Sequence, residues 1–80
     1  MANDALFLEV SGEIAQCLGC NLALITASTT SADIENWNSL NNVRLLIKLE
    51  RRFRIRFSGI EATSLQNVGE LVNLIASKSP

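Results

Sequence analysis

The chain has 80 residues, with eight acidic and seven basic side chains, no histidine and no tyrosine. This length allows one small domain with a thin core, which excludes a deep enclosed active site, and the missing histidine removes the commonest general base and metal ligand. Because 48% of the residues are apolar and only 19% are charged, a disordered chain is excluded as well. Composition therefore favours a carrier, adaptor or binding module over an enzyme.

Neither a membrane span nor a secretory signal is visible in the sequence. The longest strongly apolar stretches, residues 22–25 and 45–49, have four and five residues, whereas a membrane-spanning helix needs about 20. A secretory signal requires a basic side chain ahead of its apolar stretch, and residues 1–4 contain none. We therefore expect a cytoplasmic protein.

Apolar spacing predicts a first helix over residues 4–18, with Asn3 or Asp4 as its cap and Gly19 as its stop. Its apolar stripe consists of Leu6, Phe7, Val10, Ile14 and Leu18. A long loop over residues 19–38 follows, and the centre of that loop is rich in hydroxyl groups. Because so long a connection needs anchors, we expect four apolar residues to enter the core. They are Leu22, Leu24, Ile25 and Ile34.

Two cysteines, Cys17 and Cys20, have the spacing of redox motifs and of half a zinc site. A structural zinc site needs four ligands, and the chain offers no further cysteine and no histidine. A thioredoxin-like site needs a βαβ context, whereas the flanking pattern is helical on one side and loop on the other. We therefore interpret both as reduced, half-buried thiols near a helix end, and we expect no metal site.

A second helix is predicted over residues 39–54, with Asn38 or Ser39 as its cap. Its buried stripe consists of Leu45, Leu46, Leu49 and Phe53. A single helical turn is predicted at residues 60–63. The last helix is predicted over residues 67–77, because Asn67 is followed three residues later by Glu70, which is typical of a capped helix start.

The charges are distributed unevenly along the chain. Residues 44–56 carry six bases and one acid, a local charge of +5, whereas residues 1–43 carry five acids and no base. Clustered arginines could contact nucleic-acid phosphates, but the chain lacks an aromatic platform for bases and a helix-turn-helix spacing. A nucleic-acid-binding helical domain still stays open as a third hypothesis, beside a simple solvated helix face and a surface that selects partners by charge. A membrane-surface helix is disfavoured because the core needs its apolar stripe.

The junction between the loop and the second helix reads Trp37-Asn38-Ser39-Leu40. Here the sequence resembles the acyl and peptidyl carrier protein family, whose pattern at this junction is Asp-Ser-Leu, often preceded by tryptophan or another apolar residue. The resemblance extends over residues 34–75. Residues 43–53 match the apolar positions of the family's second helix, and residues 64–72 are similar to the opening of its last helix.

The resemblance implies an all-α bundle of three main helices and one short helix, forming a single domain over residues 1–80. It implies that Ser39 carries a covalent 4′-phosphopantetheine arm, which holds an acyl or aminoacyl group as a thioester for fatty-acid, polyketide or related biosynthesis. A serine in the first turn of a helix suits this role because the helix start favours the phosphate diester. The competing role for Ser39 is an ordinary helix cap.

The implied partners are a phosphopantetheinyl transferase and acyl-loading ligase or synthase enzymes. The expected partner-binding residues are Asn38, Leu40, Val43, Arg44, Ile47, Lys48 and Arg51. Under this interpretation the protein is a monomer that is not itself a catalyst and binds neither nucleic acid nor membrane.

The chain departs from the family pattern at three places. Asn38 replaces an aspartate that transferases commonly recognise. Arg44, Arg51 and Arg52 stand where the family usually carries acids, so we expect partners with acidic docking surfaces. Arg54 stands where the family often has glycine, and a left-handed backbone there costs about 1 kcal/mol. These departures leave open an unmodified, carrier-like module that binds an acidic partner through its basic second helix.

Overall fold

The computed structural model describes residues 4–78, which form four α-helices and two short 3-10 helices. The α-helices are α1 (Asp4–Leu18), α2 (Ser39–Phe53), α3 (Gly59–Ser64) and α4 (Val68–Lys78), and the 3-10 helices are Leu22–Leu24 and Ser31–Asp33. This part of the chain contains no strand. The predicted all-α class, with three main helices, one short helix and a long loop after the first, is confirmed. Asn3, a predicted cap of the first helix, lies outside the described residues.

The core forms where α1 packs against α2 and α4. Each of these helices contributes apolar side chains that recur at spacings of three and four, so one face of each helix is buried. The buried apolar residues are Val10, Ile14, Leu18, Ile25, Ile34, Leu45, Leu46, Leu49, Ile55, Val68, Leu71, Val72 and Ile75. Burial of each large aliphatic side chain stabilises the fold by about 1.5–3 kcal/mol, and this packing fixes the position of α2.

Both α1 and α2 are followed by a residue in the left-handed conformation. Gly19 has a φ of +67° and Arg54 a φ of 56°. After each turn the next amide donates five residues back, from Cys20 to the Ala15 carbonyl and from Ile55 to the Glu50 carbonyl, both at 3.1 Å. This is the Schellman arrangement, in which glycine is favoured because it has no Cβ. Arg54 therefore occupies a conformation that costs about 1 kcal/mol for a residue with a side chain.

The loop between α1 and α2, residues 19–38, is called the crossover loop below. The prediction that Ile25 and Ile34 enter the core is confirmed, since both are buried. The same prediction for Leu22 and Leu24 is wrong, because these side chains are 47% and 62% exposed. The 3-10 helix that contains them is held by its own local hydrogen bonds, from the Ala23 amide to Asn21 and from the Ile25 amide to the Leu22 carbonyl. These bonds keep the turn at the surface and leave Ile25 as its anchor.

The hydroxyl-rich part of the crossover loop caps the start of α4. The first N–H groups of a helix have no partner within the helix. Here the Val68 amide donates to the Thr29 carbonyl at 2.9 Å, and the Gly69 amide donates to the Ala27 carbonyl at 2.8 Å. The buried Thr29 hydroxyl accepts a hydrogen bond from the Thr26 amide at 2.8 Å. These contacts fix the loop that leads to Ser39.

Candidate functional site

Ser39 is an exposed residue at the first position of α2. The cap of this helix is Asn38, whose side-chain oxygen accepts a hydrogen bond from the Asn41 amide at 2.9 Å. Among the residues that the structure describes, none is hydrogen-bonded to the Ser39 hydroxyl. Asn38 thus fills the capping role that was the competing use of Ser39, and the hydroxyl stays accessible.

Side-chain amides hold the backbone on both sides of Ser39. Asn36 donates to the Leu18 carbonyl at the end of α1 at 3.0 Å. The Asn41 amide group donates to the Asn36 carbonyl at 2.7 Å, and the half-buried Trp37 indole donates to the Asn42 side chain at 2.9 Å. The junction is therefore tied to α1 and to the first turn of α2, so Ser39 stands on rigid backbone.

Sequence reasoning missed the structural role of Asn36, Asn41 and Asn42. The available signal was the density of asparagine, with four within residues 36–42. Asparagine side chains bond readily to nearby backbone groups, so such a cluster indicates a locally fixed turn.

An exposed apolar stripe runs along α2 from the residue after Ser39. Leu40, Val43 and Ile47 are 60%, 53% and 45% exposed. Their spacing of three and four places them on one helix face, and Arg44 and Arg51 are exposed on that same face. The structure therefore brings five of the expected partner-binding residues to one surface, and the exposed Asn38 lies at its start.

Lys48, another expected partner-binding residue, is turned toward α1. Its amine donates to the Gln16 side chain at 3.1 Å and lies 3.3 Å from a Glu13 carboxylate oxygen. Arg52 lies beside it and forms ion pairs with Glu9 at 3.1 Å and Glu13 at 3.3 Å. These contacts form a clamp between α1 and α2, so two of the six clustered bases already have carboxylate partners.

A groove of about 510 Å³ opens beside Ser39, between α2, α3 and the start of α4. Its apolar wall consists of Trp37, Leu46, Ala62, Leu65 and Leu71, and its polar wall of Ser31, Asn38, Ser39, Asn42, Thr63, Gln66 and Asn67. Because Ser39 lies in this wall, a group attached to its hydroxyl starts at the edge of a groove with both apolar and hydrogen-bonding surfaces.

Neither of the two cysteines lines this groove. Cys17 and Cys20 are free and half-buried, and the Cys17 sulfur lies 4.0 Å from the Asn41 carbonyl oxygen. Within residues 4–78 no three cysteine or acidic side chains come together in a way that could hold a metal ion. None of the helices in this part of the chain combines the length and apolarity that a membrane crossing requires.

Comparison with known proteins finds similarity to an acyl carrier protein. No family model matches the chain. The acyl carrier protein of Exiguobacterium sp. (strain ATCC BAA-1283 / AT1b) is 28% identical over 78 residues, which cover 98% of this chain and 99% of that protein. The chain is thus similar to an acyl carrier protein along almost its whole length, and the resemblance indicated by its motifs is confirmed.

Proposed function

We propose that the chain is a single carrier domain, which holds an acyl or aminoacyl group as a thioester on a 4′-phosphopantetheine arm attached to Ser39. The observation that carries this proposal is the accessible Ser39 hydroxyl at the first position of α2, beside a cap supplied by a different residue. The similarity to an acyl carrier protein over nearly the whole chain supports it.

The residues around Ser39 fit the phosphodiester of such an arm. The N–H groups of Ser39 and Leu40 belong to the first turn of α2, where amides precede the helical hydrogen-bond ladder and carry partial positive charge. Residues 36–43 contain no charged side chain, so no carboxylate from this segment repels the phosphate. The arm supplies the thiol that carries the cargo, and the chain supplies an exposed and rigid point of attachment.

In this role the protein presents a substrate to other enzymes and catalyses no step itself. Tethering the cargo raises its effective concentration at each partner. The expected partners are a phosphopantetheinyl transferase and loading ligases or synthases of fatty-acid, polyketide or related biosynthesis in the cytoplasm. Cys17 and Cys20 take no part, because neither lines the groove beside Ser39.

The test is the intact mass of the chain after co-expression with a broad-specificity phosphopantetheinyl transferase. We expect a gain of one phosphopantetheine, which Ser39→Ala abolishes. Ser31→Ala is the matched control, because Ser31 is exposed and lines the same groove. Asn38→Asp restores the carboxylate that transferases commonly recognise and is expected to speed the modification. If neither the native chain nor Asn38→Asp gains mass, the proposal is wrong.

A second candidate function is an unmodified module that binds an acidic partner through α2. Arg44 and Arg51 favour it, because both are exposed and no described carboxylate lies within ion-pair distance of either guanidinium. The mass experiment separates the two functions, since this module needs no group on Ser39.

A further inference from the structure

A shallow cleft lies at the C-terminal end of α2, at the opposite end of the helix from Ser39. It has a volume of about 440 Å³ and is lined by Ile47, Glu50, Arg51, Arg54, Ile55 and Arg56. We propose that this arginine cleft, together with the apolar stripe of α2, docks an acidic protein surface. The inference deepens the proposed function by naming the docking surface, and it rests on that function for the identity of the partner.

The positive charge of the arginine cleft is not neutralised within the described part of the chain. Arg51, Arg54 and Arg56 are all exposed, and no described carboxylate lies within 4.0 Å of their guanidinium groups. Glu50 is the one acid in the wall, and its carboxylate accepts a hydrogen bond from the Phe57 amide at 2.8 Å. Three guanidinium groups therefore surround one carboxylate that already has a backbone partner.

Comparison with the clamp shows that unpaired positive charge remains at the arginine cleft and not where α2 faces α1. Lys48 and Arg52 face α1, and there Glu9 and Glu13 lie within 3.3 Å of their charged groups. Described carboxylates therefore form ion pairs with the bases that face α1 and form none with the arginines of the cleft, where Glu50 accepts a backbone amide instead. An unbalanced patch of one sign is a surface that attracts opposite charge in a partner.

Arg54 provides an independent observation for the same surface. Among residues 4–78 it is the one non-glycine residue with positive φ, at φ 56° and ψ 49°. The equivalent position after α1 is Gly19, which takes this conformation without steric strain. Strained backbone of this kind concentrates at functional positions. Here the strained residue places a third guanidinium in the cleft.

The wall of the cleft favours a protein surface over a polyphosphate. Ile47 belongs to both the cleft and the apolar stripe with Leu40 and Val43, so the charged and apolar surfaces are continuous. An occupant that fills both must present carboxylates beside apolar side chains, as an acidic amphipathic helix does. Guanidinium groups match carboxylates in a two-pronged geometry, which adds specificity to the charge attraction.

The test uses the unmodified chain labelled with ¹⁵N and a synthetic helical peptide that carries glutamates and leucines on one face. We expect amide shifts at Ile47, Arg51 and Ile55, and an affinity that falls as salt rises. Arg51→Gln and Arg56→Gln each weaken binding about two- to fivefold. Arg52→Gln is the matched control, since it removes the same charge from a residue held by α1, and it leaves the affinity near the native value.

Arg54→Gly separates a binding role from a structural one. We expect it to weaken peptide binding while raising Tm by roughly 4–8 °C, because glycine relieves the left-handed strain. Unchanged binding in this variant, or an equal loss in Arg52→Gln, overturns the proposal. Tighter binding to duplex DNA or to anionic vesicles than to the peptide also overturns it. Because Ser39→Ala is expected to bind the peptide normally, failure here is distinct from failure of the modification at Ser39.

Discussion

At the level of single residues, Asn38 has an observed structural role as a helix cap and, under the proposed function, stands where a transferase would recognise the chain. Asparagine and aspartate cap helices about equally well, and the Asn38 side chain makes the capping bond to the Asn41 amide. The replacement of aspartate by asparagine therefore preserves the start of α2 and removes only a negative charge beside Ser39. Any difference in modification between Asn38 and Asn38→Asp reports recognition of that charge by the transferase.

Gly69 is a residue whose importance depends on a distant contact. It lies in the first turn of α4, where its amide donates to the Ala27 carbonyl. A Cβ at this position would lie 3.0 Å from that carbonyl oxygen and 3.3 Å from the Ala27 side chain. A Cβ at Gly12, in the exposed middle of α1, would have nothing within 4 Å. Replacement of these two glycines by alanine is therefore expected to change the stability of the fold in opposite directions.

We predict that Gly12→Ala stabilises the fold by about 0.5–1 kcal/mol and that Gly69→Ala destabilises it by about 1 kcal/mol or more. Alanine has the higher helix propensity in both places. At residue 69 the new methyl group must push the crossover loop away from α4, and that displacement outweighs the propensity gain. Urea unfolding of the two variants beside the native chain measures both changes. Stabilisation by Gly69→Ala would show that the loop yields without loss.

At the level of elements, local periodicity was sufficient to predict the helices. The apolar stripes that end at Leu18 and Ile75 occur at helical spacing, and the structure buries both residues. The crossover loop was less predictable because its order depends on contacts between distant residues. The Gly69 amide reaches Ala27, and the Lys48 amine reaches Glu13. No short sequence window contains both partners of such a contact.

The parts of the candidate site that depend on local sequence were predictable, and those that depend on helix packing were not. The motif at Trp37–Leu40 indicated where Ser39 would stand, because the start of a helix leaves local signals. The resemblance placed Leu40 and Ile47 among the expected partner-binding residues, and both side chains are exposed. The withdrawal of Lys48 toward α1 could not be inferred, because it depends on how two helices pack. The site's roles in attachment and docking stay predictions.

The link between α3 and α4 makes a pH-dependent prediction. Glu61 of α3 accepts the Ser58 amide at 2.9 Å, and its carboxylate lies 2.8 Å from the Lys78 amine of α4. The Lys78 hydrogen bond, followed by that from the Ser58 backbone, holds the pKa of Glu61 below its usual range. A lowered pKa in the folded state means that the ionised form is favoured there, so this contribution is full above the ordinary glutamate pKa and is lost as the pH falls through the lowered value.

We predict that Glu61→Gln lowers Tm at neutral pH. The difference in Tm between this variant and the native chain should shrink as the pH falls from the ordinary glutamate pKa through the lowered pKa of Glu61. Glutamine can still accept the backbone amide in the capping box, so the variant removes the charge and keeps the cap. Thermal unfolding across a pH series measures the difference. Lys78→Gln is the partner control and is expected to give the same pH profile. A difference that stays constant with pH would show that the ion pair contributes nothing.

At the level of the whole molecule, the net charge of −1 conceals an uneven distribution of acids and bases along the chain, which the fold partly neutralises. Five acids before residue 44 face six bases in residues 44–56. The packing of α1 on α2 joins Glu9 and Glu13 to Lys48 and Arg52. Arg44 and the arginine cleft remain outside this clamp, so the charge that is left over defines one face of α2. That face is both the most basic and the most apolar exposed surface of the helix.

This combination predicts that the protein is a monomer of 8.7 kDa. A symmetric dimer through the exposed stripe would use the same patch on both copies. It would bring Arg44 and Arg51 of each copy close to their counterparts, and like charges at a shared interface oppose association. We expect sedimentation equilibrium to give the monomer mass at low salt and at physiological salt.

Removal of the like charges tests that reason directly. The double substitution Arg44→Gln and Arg51→Gln leaves Leu40, Val43 and Ile47 exposed without their flanking bases, so we expect weak self-association at high protein concentration. Lys48→Gln is the control, because its charge is already engaged with α1 and lies off the stripe. Lower salt screens the charges less, so repulsion between the arginines should oppose a dimer more strongly. Stronger dimerisation of the native chain at lower salt would therefore contradict this explanation.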